Sequence, residues 1–179
     1  MSALSTRGRP RRVTVMQGDT RVSAEADVVF TTLLGSCIAA CLHDPVVKVG
    51  GINHFLLAEP GADTDIHSLQ RYGVFAMEVL INAMLELGAK RHQLRARLYG
   101  GASLRDGLHD IGAANAVFAR GFLRDERIAL VGEDVGGFDA RRVEFRPAAG
   151  LARCRAVAGR PPREGLTGSR TLPADVEFF

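Results

Sequence analysis

The sequence of 179 residues contains no tryptophan, two tyrosines and three cysteines. Three cysteines are too few for the disulfide framework that holds a small secreted domain together. No apolar run reaches the roughly 18 residues that a membrane-spanning helix needs. The first twelve residues have no apolar core, so we expect no secretory signal and no membrane anchor. These absences favour a cytoplasmic protein whose thiols stay reduced.

The chain also has almost no net charge outside the N-terminus. The formal net charge is +3, but four of the 23 basic residues lie in the first twelve positions, where there is no acid; 19 then remain against 20 acidic residues. This balance disfavours a nucleic-acid partner. We expect a basic, disordered lead over residues 1–12, a folded domain over residues 13–158, and a tail rich in Pro, Gly and Arg over residues 159–179.

Hydrophobic periodicity predicts a mixture of strands and helices. Apolar residues recur at three- and four-residue spacing over residues 67–87, which end before Gly88, and over residues 111–123, so both segments are predicted helices. The predicted strands cover residues 13–15, 27–34, 37–42, 48–57, 94–99, 128–131, 143–145 and 151–157. Four strands precede the first helix, and strict alternation is missing. This order favours an α+β sandwich of mixed sheets over a doubly wound parallel sheet.

One predicted hairpin brings reactive side chains together. Its two strands flank an Asp44-Pro45 dipeptide, which is typical of a turn. A turn centred between Pro45 and Val46 would place Cys37 directly opposite His54 on one face of the hairpin. A register slip of one residue would move His54 to the other face. The sequence therefore predicts a thiol beside an imidazole.

A thiol beside an imidazole is suited to nucleophilic catalysis, because the imidazole can take the thiol proton. Gly35-Ser36 allows a tight turn just before Cys37, and the N–H groups of such a turn can line an oxyanion site. A third group usually orients the imidazole, and Thr31 or Thr32 could supply a hydroxyl for His54. An ordinary thiol has a pKa of about 8.5, and a catalytic Cys37 is expected to react at a pH well below that value.

Other interpretations of the cysteines stay open. A lone cysteine in an apolar run favours a small buried hydrophobic residue, and only the Gly-Ser approach and the predicted His54 partner make the catalytic interpretation of Cys37 equally good. Cys41 and Cys154 are predicted to be structural. A metal site formed by Cys37, Cys41, His43 and His54 is a further hypothesis. However, four residues along a strand span about 13 Å, which is too far for two thiolates to share one zinc ion.

The remaining polar and glycine-rich positions predict little chemistry. His67, His92 and His109 lie at the edges of predicted elements and are expected on the surface. The pairs Gly100-Gly101 and Gly136-Gly137 mark turns or close backbone approaches. Neither pair has the lysine spacing or glycine pattern of a phosphate loop, which disfavours nucleotide binding.

Taken in order, several segments resemble the CheD family of chemoreceptor glutamine deamidases. They read LLGSCIAACLHDP, GGINHFLL, RYGVFAMEVLINAMLELGA, RLYGGASL, IGAANAVF and GEDVGGFDARRVEF. The resemblance covers about residues 13–158. It implies a fold like that of the cysteine deamidases of the cytotoxic necrotising factor type, a sandwich of β-sheets covered by helices.

The resemblance also implies an activity and a site. It places the nucleophilic cysteine of the family on Cys37, its histidine on His54 and its threonine on Thr31. Members convert glutamine side chains of methyl-accepting chemotaxis receptors to glutamate, so a protein-glutamine glutaminase without metal or organic cofactor is expected. Some members bind the CheC phosphatase, which makes a CheC-like protein an expected partner. The alternative is a binding module that docks receptors or such a phosphatase without catalysis.

Overall fold

The structure is a computed structural model that describes residues 9–57, 66–103 and 111–157. The predicted tail, most of the lead and His109 lie outside these residues. The helices and strands are β1 (Arg11–Thr14), β2 (Thr20–Ser23), β3 (Val28–Leu34), β4 (Ile38–Asp44), β5 (Val49–Phe55), α1 (Ile66–Glu86), β6 (Arg95–Gly100), α2 (Ile111–Asp125), β7 (Ala129–Val135), β8 (Ala140–Arg146) and β9 (Leu151–Val157). Two short 3₁₀ turns cover Arg91–Gln93 and Pro147–Ala149.

The strands form two mixed sheets, which confirms the predicted α+β sandwich. The four-stranded sheet has the order β1-β3-β8-β9, and the five-stranded sheet has the order β2-β5-β4-β6-β7. Each sheet contains one parallel pair, β1 with β3 and β6 with β7, and its other pairs are antiparallel. Both helices pack on the five-stranded sheet, so the helices cover one outer face of the sandwich.

Alternation along the strands produces two separate apolar layers. Phe30, Leu34, Cys41, Ile52 and Phe145 belong to the layer between the two sheets, which we call the inter-sheet layer. The intervening residues of β4 and β5 point to the helices and pack with the buried side of α1 and α2. A residue's parity within its strand therefore decides which layer it enters.

Both helices lie where the periodicity predicts them. However, the face that each helix buries is rotated relative to the apolar face that the spacing predicts. In α1 the fully buried residues are Met77, Leu80, Ile81 and Met84, whereas Tyr72 is 43% exposed. In α2 the buried face comprises Gly112, Asn115, Ala116, Ala119, Phe122 and Leu123. Small residues at three of these positions let α2 approach the sheet closely. Gly88 ends α1 with a φ of 92°, as predicted.

The hairpin register differs from the predicted one. Ala39 pairs with His54, and Asp44 pairs with Val49, so the turn comprises the four residues between Asp44 and Val49. The Asp44 carboxylate accepts hydrogen bonds from the N–H groups of Val46 and Val47 at 2.9 and 3.3 Å. These bonds stabilise a longer turn than the Asp-Pro dipeptide predicts and shift the pairing by two residues. A shift of two keeps every side chain on its predicted face.

The N-terminal strands are the other difference. β1 begins at Arg11, so Arg11 and Arg12 lie in the sheet rather than in the predicted lead. The sequence analysis missed β2, because TRVS is short and lacks apolar alternation. Within the described residues, no helix is long and apolar enough to cross a membrane.

Candidate active site

The predicted nucleophile and base lie on the same face of the five-stranded sheet but are not directly opposite one another. His54 pairs with Ala39. Cys37 is two residues before Ala39 and, like it, packs against the inter-sheet layer. Cys37 is therefore a diagonal neighbour of His54. Diagonal neighbours are about 7–8 Å apart at the backbone, within reach of long side chains. The predicted direct pairing is wrong, and the predicted shared face is right.

Thr32, and not Thr31, is hydrogen-bonded to His54. The Thr32 hydroxyl donates to the Val15 carbonyl oxygen at 2.7 Å, and its oxygen lies 2.9 Å from His54 Nδ1. Because the one hydroxyl proton is used at Val15, the Thr32 oxygen accepts from Nδ1–H. Thr31 has the opposite parity in β3, so its side chain points away from the inter-sheet layer. The structure therefore does not bring Thr31 to His54.

These contacts determine which ring nitrogen of His54 is basic. With its proton on Nδ1, the imidazole has its lone pair on Nε2. Nε2 is buried and has no hydrogen-bond partner among the described residues. A proton acceptor on a side chain that is only 7% exposed is thus left unpaired on the same face of the sheet as Cys37.

Burial makes both groups neutral at rest. It lowers the pKa of His54, although the Val15 carbonyl and the Asp19 carboxylate oppose this effect. It also raises the pKa of the half-buried Cys37 thiol, although the backbone N–H of Cys37 itself works in the other direction. In the resting protein desolvation thus favours the uncharged thiol, which opposes the expected reaction of Cys37 below the ordinary thiol range.

The segment before the thiol is held by its carbonyl groups. Asn115 Nδ2 donates to the Ser36 carbonyl oxygen at 2.8 Å, and the Gly101 N–H donates to that of Cys37 at 2.7 Å. Asn115 Oδ1 also accepts from the Leu57 N–H at 2.9 Å. One fully buried side chain on α2 thus ties the nucleophile's segment to the residues just after β5. Nothing local in the segment IGAANAVF predicts this role of Asn115, because its partners lie 79 and 58 residues away in sequence.

The predicted glycine pairs support this segment from the other side. A Cβ atom at Gly100 would lie 2.1 Å from the Cys37 carbonyl oxygen, and Gly100 has a φ of 104°. The Gly136 N–H donates to the Gly100 carbonyl oxygen at 2.9 Å. The two pairs therefore allow a close backbone approach behind Cys37, as expected of glycine.

A tight turn between β1 and β2 forms one wall of the site. Its Gln17 places Oε1 3.5 Å from Cys37 Sγ, and its Gly18 N–H donates to the His54 carbonyl oxygen at 2.7 Å. Beside His54 lies a recess of about 110 Å³, which Tyr72 and Phe75 also line. The sequence analysis missed Gln17, because nothing local in MQGD points to a thiol 20 residues away.

The remaining cysteines and histidines contribute no chemistry to this site. Cys41 is buried in the inter-sheet layer, as predicted, and Cys154 packs at the border of the same layer. His67 and His92 are exposed. Within the described ranges, no three side chains of His, Cys, Asp or Glu are placed to hold a metal ion.

Known proteins of one family are similar to this chain over most of its length. The family model described as CheD chemotactic sensory transduction matches residues 56–156. The chain is 63% identical over 170 residues to a protein of Zymomonas mobilis subsp. mobilis named "Probable chemoreceptor glutamine deamidase CheD", covering 94% of this chain and 93% of that protein. It is 55% identical over 147 residues to a protein of the same name from a Caulobacter species, covering 82% and 78%.

Among solved structures, the chain is similar to a Neisseria meningitidis protein of the family model DUF152. The TM-score is 0.45 at 13% identity, covering 72% of this chain and 63% of the other.

Proposed function

The chain belongs to the CheD family, and from this membership we propose that it deamidates glutamine side chains of chemoreceptors to glutamate. The observation that carries the proposal is the hydrogen bond between Thr32 and His54 Nδ1, because it leaves Nε2 as the base on the face that also carries Cys37. The names of the relatives supply the substrate class. Cys37 and His54 are the proposed catalytic residues.

The first half of the reaction forms a thioester. His54 Nε2 takes the thiol proton as Cys37 Sγ attacks the carboxamide carbon of the substrate. The carbonyl electron pair moves onto oxygen, and the Cys37 N–H, which faces its own sulfur, is placed to donate to that oxyanion. The protonated His54 then gives its proton to the nitrogen, and ammonia leaves as the carbon–nitrogen bond breaks.

The second half consumes water. His54, neutral again, removes a proton from a water molecule that attacks the thioester carbon. The carbon–sulfur bond breaks, and the protonated His54 returns its proton to the sulfur. The product is a carboxylic acid, which ionises to the carboxylate as its proton passes to the released ammonia. The sum is one water consumed and one ammonia released, with no change in oxidation state.

Thr32 is proposed as the positioning residue in place of Thr31, onto which the family resemblance maps the threonine. Its hydroxyl connects His54 Nδ1 to the Val15 carbonyl, so it keeps the ring in one tautomer throughout the cycle. The pKa of His54 is lowered chiefly by burial, which keeps the imidazole in its basic form at neutral pH.

The half-buried thiol of Cys37 is next to the exposed turn that carries Gln17, and this suits a macromolecular substrate whose glutamine side chain projects from its surface. The recess of about 110 Å³ beside His54 is a separate feature, because Cys37 does not line it. The proposed location is the cytoplasm, and a CheC-like phosphatase stays a predicted partner, to be tested by co-purification.

The experiment is a deamidation assay on a chemoreceptor cytoplasmic fragment. Wild type is expected to raise the mass of particular glutamine peptides by about one dalton and to release ammonia, whereas Cys37→Ala does neither. Cys41→Ala is the matched control, since it removes a buried thiol from the same strand and should stay active.

Equal conversion by wild type and Cys37→Ala would contradict the proposed chemistry. No conversion by wild type, together with binding of the fragment, would favour the alternative of a non-catalytic binding module.

A further inference from the structure

The carboxamide of Gln17 contacts the nucleophile, and the mechanism above does not use it. Its Oε1 lies 3.5 Å from Cys37 Sγ and accepts a hydrogen bond from the thiol. The His54 imidazole meanwhile has an unpartnered, buried Nε2. At rest, the thiol proton therefore points to Gln17 and not to the base.

The side chain of Gln17 is exposed, but hydrogen bonds hold the backbone of its turn in place. The Asp19 N–H donates to the Met16 carbonyl oxygen at 2.9 Å, and the Met16 N–H donates to Asp19 Oδ2 at 3.1 Å. Two backbone hydrogen bonds join this turn to His54: Gly18 N–H to the His54 carbonyl at 2.7 Å, and His54 N–H to the Asp19 carbonyl at 3.1 Å. The turn is therefore fixed relative to the catalytic imidazole.

A carboxamide can serve both states of the sulfur. Its oxygen accepts from a thiol, but an oxygen facing a thiolate would be repelled. Rotation by 180° about the Cγ–Cδ bond exchanges Oε1 for Nε2, which carries two donors. After the attack, the oxyanion is two bonds from Cys37 Sγ, in the region that the Gln17 carboxamide borders.

We propose that Gln17 is a further catalytic residue, whose side-chain N–H donates a hydrogen bond to the carboxamide oxygen of the substrate as it becomes the oxyanion. This inference rests on the proposed deamidation at Cys37. Gln17 transfers no proton; it supplies a second donor beside the Cys37 backbone N–H. The carboxamide rotates as the sulfur loses its proton, and its N–H then faces the developing charge.

The test compares three variants on the receptor fragment by ammonia release. Gln17→Ala is expected to lower kcat on the order of 10²-fold with KM little changed, as for loss of one oxyanion donor. Gln17→Glu keeps the shape but offers only acceptors and a negative charge, so its kcat should fall further. Met16→Ala, an exposed neighbour on the same turn, should match wild type.

The order of the variants separates the proposal from its rivals. If Gln17 only fills space, the isosteric Gln17→Glu would be the more active of the two. If its contact with the thiol holds the nucleophile away from His54, Gln17→Ala would be faster than wild type. Either result, or a wild-type protein whose residue 17 is found by mass spectrometry to be glutamate, would overturn the proposal.

A measurement without receptor distinguishes failure of this inference from failure of the proposed function. The pH dependence of Cys37 alkylation, read by peptide mass spectrometry, should move to higher pH in Gln17→Ala and further in Gln17→Glu, since each loses a donor to the thiolate. A wild type inactive on the receptor that still shows this order would count against deamidation of receptors and for the role of Gln17 at the sulfur. A shift to lower pH in Gln17→Ala would overturn that role.

Discussion

Cysteine and histidine occur twice on the inner face of the β4–β5 hairpin, and the two places differ in almost everything else. Cys37 and His54 lie where β4 begins and β5 ends. Cys41 and His43 lie toward the turn, beside a second recess of about 330 Å³ that Arg95 also lines. Residue types and strand parity are the same at both ends, so neither explains why one end is suited to catalysis.

Access to the thiol is the first difference. Cys41 is 1% exposed, and burial raises its pKa far above the ordinary thiol range. Cys37 is half-buried, next to an exposed turn, and its own backbone N–H opposes the upward shift. A substrate carbonyl can reach only the second of these sulfurs.

The surroundings of the imidazole are the second difference. His43 is bonded to the backbone of Ala148, and a Cβ atom at Gly150 would lie 2.3 Å from its Nδ1. Its ring is therefore packed under the 3₁₀ turn. His54 is instead hydrogen-bonded to the Thr32 hydroxyl. Both histidines have a buried Nε2 without a hydrogen-bond partner among the described residues, so a free ring nitrogen does not distinguish them. The comparison teaches that a Cys–His pair also needs a thiol that a substrate can reach.

Replacing the two histidines should give the largest contrast. His54→Ala is expected to lower kcat/KM for the receptor fragment by about 10³-fold, within the usual range for loss of general acid–base catalysis. His43→Ala should retain activity within a factor of about three, since His43 touches no reacting atom. Initial rates of ammonia release measure both, with circular dichroism to confirm folding. Similar losses in the two variants would mean that the two ends are not functionally distinct.

Replacing the two threonines should give a smaller effect. Thr32→Val is expected to lower kcat/KM about tenfold, because one hydrogen bond contributes about 0.5–1.5 kcal/mol. It should also destabilise the fold by about 1 kcal/mol, since it removes the 2.7 Å hydrogen bond to the buried Val15 carbonyl and leaves that oxygen only its 3.5 Å contact with His54 Nδ1. Thr31→Val should change neither value much.

Thr32→Ser, which restores the hydroxyl, is the control for this pair. It should recover most of the activity, and a bell-shaped pH profile should keep its wild-type acidic limb only when the hydroxyl is present. If Thr31→Val were the more damaging variant, the assignment of Thr32 to His54 would be wrong.

Thiol labelling should give the smallest effect, which is a difference in labelling rate among the three cysteines of the folded protein. Cys37 is expected to react first, but with a midpoint above pH 8.5, because burial raises its pKa and the thiolate is the reactive form. Burial and the Asp134 carboxylate raise the pKa of Cys154 to about 11, and Cys41 should be protected until unfolding. Iodoacetamide labelling at several pH values, followed by peptide mass spectrometry, measures all three. A Cys37 midpoint below pH 8.5 would restore the original expectation of a resting thiolate.

The order of strands and helices was enough to predict the sandwich, and the alternation of side chains along strands was enough to predict the shared face of Cys37 and His54. The register depends on the turn, in which the Asp44 carboxylate accepts hydrogen bonds from two N–H groups. The presence of a proline in the turn does not predict these bonds. Thr32 and Gln17 could not be assigned because their contacts with His54 and Cys37 join strands and turns distant in sequence.

The contribution of Val15 to the site is a carbonyl oxygen, and this has a consequence for mutational tolerance. A backbone group survives every side-chain replacement that keeps β1 paired with β3, so substitution of Val15 by another apolar residue should leave the tautomer of His54 intact. The vulnerable feature is the strand pairing itself. An insertion or deletion between residues 11 and 15 should therefore inactivate the protein more readily than any single replacement there.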